Sequence, residues 1–277
     1  YRYGLEGESE EEFATRCAED LEKMILAEGP ETVAAFFAEP VMGAGGVIPP
    51  PKTYFAKIQA VLKKYDVLFV ADEVICGFGR TGNMFGSDTY DLKPDFMTVA
   101  KALSSAYLPI AGVLMREKIF NAMANHSGEL GILGHGYTYS GHPVASAVAL
   151  ETLTIYEELD IVARVQETSK TFMRELKAFD DHPLVGETRG VGLVGAIELV
   201  VDKETRAPID AKGPAPDYLY GRIMQSGLIT RPIGNSIAFC PPLIISPTVV
   251  EEMFSRFRTA LDETLDHGTR EGMFKAA

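Results

Sequence analysis

Two residues in this chain, Asp72 and Lys101, have the types and spacing to share a chemical task. Asp72 and Glu73 follow directly on the apolar run Val67-Leu-Phe-Val-Ala71, and Lys101 follows a second short run, Asp95-Phe-Met-Thr-Val-Ala100. An apolar run of this length suits a strand buried on both faces. A carboxylate at the carboxyl end of a buried parallel strand stands at the crevice where open α/β sheets bind ligands. There it is an effective partner for a protonated ring nitrogen. A lysine at the end of the next strand faces the same crevice. With Val99 and Ala102 beside it, its amine is expected to have a depressed pKa and to serve as nucleophile and base. A Schiff-base lysine and an acidic partner for a pyridinium nitrogen are the two groups that pyridoxal phosphate requires.

The glycines after Asp72 offer a competing reading. Gly77-Phe-Gly79-Arg-Thr-Gly82 matches the spacing of a dinucleotide fingerprint, which would make the chain a nicotinamide-dependent oxidoreductase. A working fingerprint follows its strand directly, opens a helix at its third glycine and meets an acidic residue roughly 20 residues on. Here the strand ends several residues early, the segment after Gly82 is the loop-like NMFGSDTYDLKPD, and the later position falls in the Lys101–Ala102 region. The glycines are therefore expected to be turn and close-approach residues, with Arg80 a loop or interface residue.

Composition limits the choices further. The 277 residues carry 26 basic and 39 acidic side chains, a net charge of -13, which argues against a nucleic-acid or anionic-membrane partner. Cys17, Cys76 and Cys240 form neither a disulfide framework nor a zinc motif, and no metal site is expected; a reducing cytoplasm is the expected home. No apolar run is long enough to span a bilayer.

The elements that must position Asp72 and Lys101 read as α/β. Helices are expected over Phe13–Ala27, Tyr54–Tyr65 and Pro143–Leu159, and strands over Thr32–Phe37, Val67–Ala71, Asp95–Ala100 and Ala111–Met115. After Leu159 the pattern changes to a helix reaching Phe179, a strand near Gly190–Val201, a Pro- and Gly-rich insertion over 207–216, short strands near 229–231 and 236–240, and a last helix over Thr248–His267. The expected division is therefore a larger domain over 1–159 with a mostly parallel sheet, and a smaller α+β domain over 160–277.

The ordered segments ADEVICGFGRTG, VAKALSSAYLPIAGVLM and HGYTYSGHP resemble the class III aminotransferases of fold type I. AEPVMGAGGVIPPP upstream and LITRPIGNSIAFCPPLIIS downstream extend the resemblance across nearly the whole chain. It implies a pyridoxal 5'-phosphate enzyme in which Asp72 holds the ring nitrogen, Val74 packs on the ring and Lys101 carries the Schiff base. Thr138 resembles the residue that reaches the partner subunit's cofactor phosphate, which implies a homodimer or a dimer of dimers. Arg231 resembles a mobile arginine that pairs with a substrate carboxylate and swings aside for a carboxyl-free amine. Ile75 and Met42 stand where ornithine- and GABA-type relatives have glutamines, a departure that resembles the amine:pyruvate branch. The implied reaction exchanges an amino group between an amine or ω-amino acid and pyruvate.

The resemblance also implies an N-terminal half carrying a phosphate cup and pocket aromatics, for which residues 1–60 offer no candidate. A catalytically incomplete fragment acting as an assembly module is the third reading. Glu73 is expected to be structural, Cys76 a packed side chain, and His135 and His142 loop residues.

Overall fold

The computed structural model describes residues 3–274. The chain forms two compact units. The first comprises residues up to Val41, Pro50–Phe78 and Asn83–Leu159; the second comprises Met42–Pro49, Gly79–Gly82 and the chain from Asp160 onward.

The first unit begins with α1 (Glu10–Glu28), three residues earlier than the apolar pattern suggests. A capping box sets that start: Glu12 N donates to Ser9 Oγ at 3.2 Å, and Ser9 N donates to Glu12 Oε2 at 2.9 Å. Glu10, Glu11 and Glu12 also place negative charge at the helix N-terminus, where the macrodipole favours it. Then come β1 (Ala35–Ala38), α2 (Tyr54–Lys64), β2 (Leu68–Asp72), the short α3 (Gly86–Thr89), β3 (Phe96–Val99), β4 (Gly112–Met115), α4 (Glu117–Leu130) and α5 (Pro143–Glu158). Of these, α4 lies outside the helices that the sequence pattern marks; it has no buried residue, so its apolar positions do not report packing.

The sheet order is β1-β2-β3-β4, with β1, β2 and β3 parallel and β4 antiparallel to β3. The reversal follows from chain length: Lys101–Ser104 is a single 3₁₀ turn, and the remaining link to β4 is too short for a parallel crossover. One face of the sheet packs against α1 and α2 through Ala18, Ile25, Phe55, Ile58, Leu62 and Phe69. Side chains alternate along a strand, so Phe69 and Ala71 lie on the helix-covered face and Asp72 on the opposite one. Asp72 and Thr98 are register partners and share that face.

The second unit contains α6 (Ile161–Lys177), β5 (Val185–Val191), β6 (Val194–Asp202), β7 (Ala207–Pro208), α7 (Pro214–Gln225), β8 (Arg231–Ile233), β9 (Ser236–Phe239) and α8 (Pro247–Arg270). Its antiparallel sheet runs β5-β6-β9-β8, with β7 pairing to β6. Phe172, Phe179, Phe239, Phe254 and Phe257 are almost fully buried and meet ring to ring, with Phe239 and Phe254 centroids 5.0 Å apart. The single strand expected near Gly190–Val201 is a hairpin of β5 and β6. Gly192 turns it at φ 58, and Gly190 is required because a Cβ there would come within 2.6 Å of Val194 O. The expected insertion over 207–216 contains β7 and the start of α7, whose Pro214 occupies a favourable first-turn position.

Two arginines tie distant loops into this second unit. Arg189 Nε and Nη2 donate to Gly46 O, at 3.1 and 2.8 Å, and Nε to Val47 O at 2.9 Å; Nη1 pairs with Glu198 at 2.8 Å. Arg80 Nη1 donates to Leu193 O at 2.9 Å and to Pro241 O at 2.6 Å. Among the described residues no helix is long and apolar enough to cross a membrane.

Candidate active site

Asp72 closes β2 and is half-buried, and its Oδ1 accepts the amide of Val74 at 3.0 Å. That bond makes a local turn in which the carboxylate is oriented by its own backbone. Val74 is half-buried within the turn that follows. The strand is buried as its apolar run implies: Phe69, Val70 and Ala71 are all in the core.

Lys101 stands two residues beyond the end of β3, so the acid and the amine terminate adjacent parallel strands at their carboxyl ends. Its backbone is left-handed, at φ 44, as are Ser105 at 47 and Ala106 at 63. Non-glycine residues held there cost about 1–3 kcal/mol each and cluster at functional sites. The apolar surroundings expected around the amine are not supplied by these residues: Lys101 is exposed, although Val99 before it is buried.

Glu73 has the structural role expected of it, and a specific one. It is 0% exposed and accepts from Gly86 N at 2.8 Å, from Ser87 N at 2.6 Å and from Ser87 Oγ at 2.6 Å. Its own amide donates to Thr98 O at 2.9 Å. Burial pushes its carboxyl above the usual range, against the pull of the hydrogen bonds from Ser87 and Gly86. Gly86 has no room for a side chain, since a Cβ there would lie 2.6 Å from Pro40 Cβ and 2.8 Å from Cys76 Cβ. Cys76 is buried, and that burial pushes its thiol up to about 12, so it is a packed side chain.

The fingerprint reading of the glycines fails on structure. No helix opens at Gly82; a turn and loop lead instead to the four-residue α3. Gly79 and Gly82 take φ 99 and 92, and Gly77 is held by close approach, with a Cβ position 2.8 Å from Glu73 O. The loop delivers Arg80 to backbone carbonyls rather than holding a pyrophosphate.

Thr138 lies in the first unit, within the stretch 131–142, every residue of which is exposed, His135 and His142 included. Arg231 opens β8, the edge strand of the second unit's sheet, and is exposed. Sequence reasoning passed over three residues that the structure singles out. Thr98 was legible only as a strand residue; Ser87 and Arg189 carried no signal, because their partners are 14 and 143 residues away in the chain.

The half-buried carboxylate, the strained lysine and a buried hydroxyl without a partner at Thr98 Oγ1 are a donor set that suits the ring and the covalent anchor of pyridoxal phosphate.

Comparison with known proteins agrees with that chemistry. The family profile "Aminotransferase class-III" matches residues 1–261. A tomato protein, "Gamma aminobutyrate transaminase 1, mitochondrial" (Solanum lycopersicum), is 52% identical over 264 residues, covering 95% of this chain and 51% of its own length. A rice protein, "Probable gamma-aminobutyrate transaminase 2, mitochondrial" (Oryza sativa subsp. indica), is 53% identical over the same share of this chain, and 53% of it is matched. Among solved structures, a transaminase with L-alanine superposes with a TM-score of 0.94 at 52% identity, over 96% of this chain and 63% of that one. The ω-transaminase of Pseudomonas jessenii in complex with PMP gives 0.93 at 55% identity, over 96% and 59%. The chain thus spans about half the length of the curated relatives it matches. Class III aminotransferases depend on pyridoxal phosphate. The chain belongs to the class III aminotransferase family.

Proposed function

We propose that the protein carrying this chain is a pyridoxal phosphate-dependent transaminase that exchanges an amino group between an amine or ω-amino acid and pyruvate. The observation that carries the reading is the placement of Asp72 and Lys101 at the carboxyl ends of adjacent parallel strands. Bound there, the cofactor supplies an electron-withdrawing ring that stabilises negative charge at the substrate carbon. Asp72 holds a proton at the ring nitrogen by charge, Val74 packs against the ring, and Lys101 Nζ is the point of covalent attachment and the base that moves the substrate proton. Arg231 pairs with a substrate carboxylate through its planar fork. Relatives named for γ-aminobutyrate support a donor with a terminal amine, and a structural neighbour holding L-alanine supports the alanine–pyruvate pair.

In this reading residues 1–159 are the carboxyl-terminal portion of the cofactor-binding domain, and residues 160–277 form the small domain. Thr138 serves a partner subunit's phosphate in a homodimer or a dimer of dimers; the exposed Ile132, Leu133, Tyr137 and Tyr139 around it support a contact surface there. The unpaired Cys17, Cys76 and Cys240 support a reducing compartment, the cytoplasm.

The test is to incubate the protein with pyridoxal phosphate, reduce with borohydride and map the pyridoxyl adduct by mass. Modification of the Lys101 peptide, suppressed when an amine donor is added first, is the expected result. Modification spread over surface lysines, or none when the protein is prepared with its natural flanking sequence, refutes the reading.

A further inference from the structure

Thr98 carries the one buried hydroxyl in the first unit's described residues that lacks a hydrogen-bond partner. A hydroxyl taken out of water without a partner is destabilising, and buried polar groups are bonded with few exceptions. Its position narrows what that partner is. Thr98 stands opposite Asp72 in the parallel β2–β3 pair, and the pairing is pinned one residue further by the 2.9 Å bond from Glu73 N to Thr98 O. Neighbouring strands run about 4.8 Å apart with register partners on one face. Rotation about χ1, between staggered wells, therefore brings a threonine hydroxyl so placed within reach of an aspartate carboxylate. One oxygen of that carboxylate, Oδ1, is already held by Val74 N at 3.0 Å.

We propose that Thr98 is a positioning residue for Asp72: its hydroxyl donates to the carboxylate when Asp72 engages a cationic ring nitrogen, and so holds the acid aimed. The inference rests on the transaminase reading above. It accounts for a group that helps neither the apo fold nor the strand pairing. Hydrogen bonds to a carboxylate stabilise its charged form and are stronger than neutral ones. A donor kept dry and unspent beside Asp72 is thus of most use once the carboxylate has a cation to face. Threonine fits the strand as well as valine does, so propensity alone gives no reason for a hydroxyl here.

The test uses Thr98→Val, which removes the hydroxyl at nearly constant shape, and Thr98→Ser, which keeps it. Thermal melts without cofactor and titrations with pyridoxal phosphate, followed by the absorbance of the bound form, are read for both variants and the wild type. The expected result is an unchanged or raised melting temperature for Thr98→Val without cofactor, together with binding weakened about tenfold. Thr98→Ser should bind within about twofold of wild type. Equal binding by wild type and Thr98→Val overturns the inference and leaves the transaminase reading standing. A lowered melting temperature that Thr98→Ser fails to restore also overturns it, because the residue then acts through packing. All three proteins are prepared with their natural flanking sequence, and absence of binding by that wild type overturns the transaminase reading, and this inference with it.

Discussion

Replacing Glu73 by alanine tests whether the turn beyond Asp72 is held from below. The carboxylate is fully buried and takes three donors: the amides of Gly86 and Ser87 and the Ser87 hydroxyl. The hydroxyl can rotate to another acceptor, but the two amides belong to buried residues and cannot follow it. Each buried amide left without an acceptor costs about 1–3 kcal/mol, so losing both costs about 2–6 kcal/mol, and a value in the lower half of that range, about 3 kcal/mol, sets the expected shift in Tm. For a chain of this size about 1 kcal/mol moves Tm by roughly 2–4 °C, so Glu73→Ala should melt about 6–12 °C below wild type. Glu73→Gln keeps one acceptor and should fall between the two.

The pH dependence of that gap has a definite sign. Burial raises the folded-state pKa of Glu73 above its ordinary 4.5, so the folded chain binds more protons than the unfolded one just above that value. The stabilisation is complete below about 4.5 and declines as pH rises through the folded value. The difference between wild type and Glu73→Ala should therefore narrow on going from acid toward neutral pH. Thermal melts by circular dichroism over that range read both effects. A shift below about 2 °C at every pH would refute the claim that Gly86 N and Ser87 N depend on Glu73.

Arg231→Ala should raise KM for a keto-acid acceptor about 10- to 100-fold, the range of one or two charge-assisted hydrogen bonds, with little change for a carboxyl-free amine; equal losses for both would remove it from carboxylate recognition. His182 is buried with Nε2 3.2 Å from Asp262, and its Nδ1 accepts Leu184 N at 3.1 Å, an arrangement that uses the neutral ring. Burial lowers its pKa against the pull of Asp262, so the unfolded chain binds more protons below about 6.5 and stability should fall as pH drops through that region. His182→Asn, melted between pH 7.5 and 5, should flatten this decline; an unchanged slope would assign it to other groups.

Much of the first unit was legible because its signals are local. Short apolar or β-rich runs specify β1, β2 and β3, and helical spacing specifies α1, α2 and α5, each within a few residues of the observed limits. Asp72 and Lys101 stood out because each follows a strand, and strand ends are where α/β sheets present chemistry. The same logic does not supply the surroundings of Lys101, whose neighbours in sequence are apolar while the residue itself is exposed. Burial is a property of what packs around a residue, and adjacency in the chain does not report it.

The amino-acid sequence by itself determined the family and most of the first unit's elements, and it marked Asp72 and Lys101 as candidates at strand ends, since each depends on residue types at short spacing. Only the tertiary structure decided that β4 runs antiparallel, that Gly190 and Gly192 fold one expected strand into a hairpin, and that the GFGRTG glycines deliver Arg80 to the carbonyls of Leu193 and Pro241. It alone paired Glu73 with Ser87 and set Thr98 beside Asp72. The side-chain contacts among these join segments separated by 14 to 161 residues, where register and hydrogen-bond satisfaction, rather than any local pattern, choose the partner.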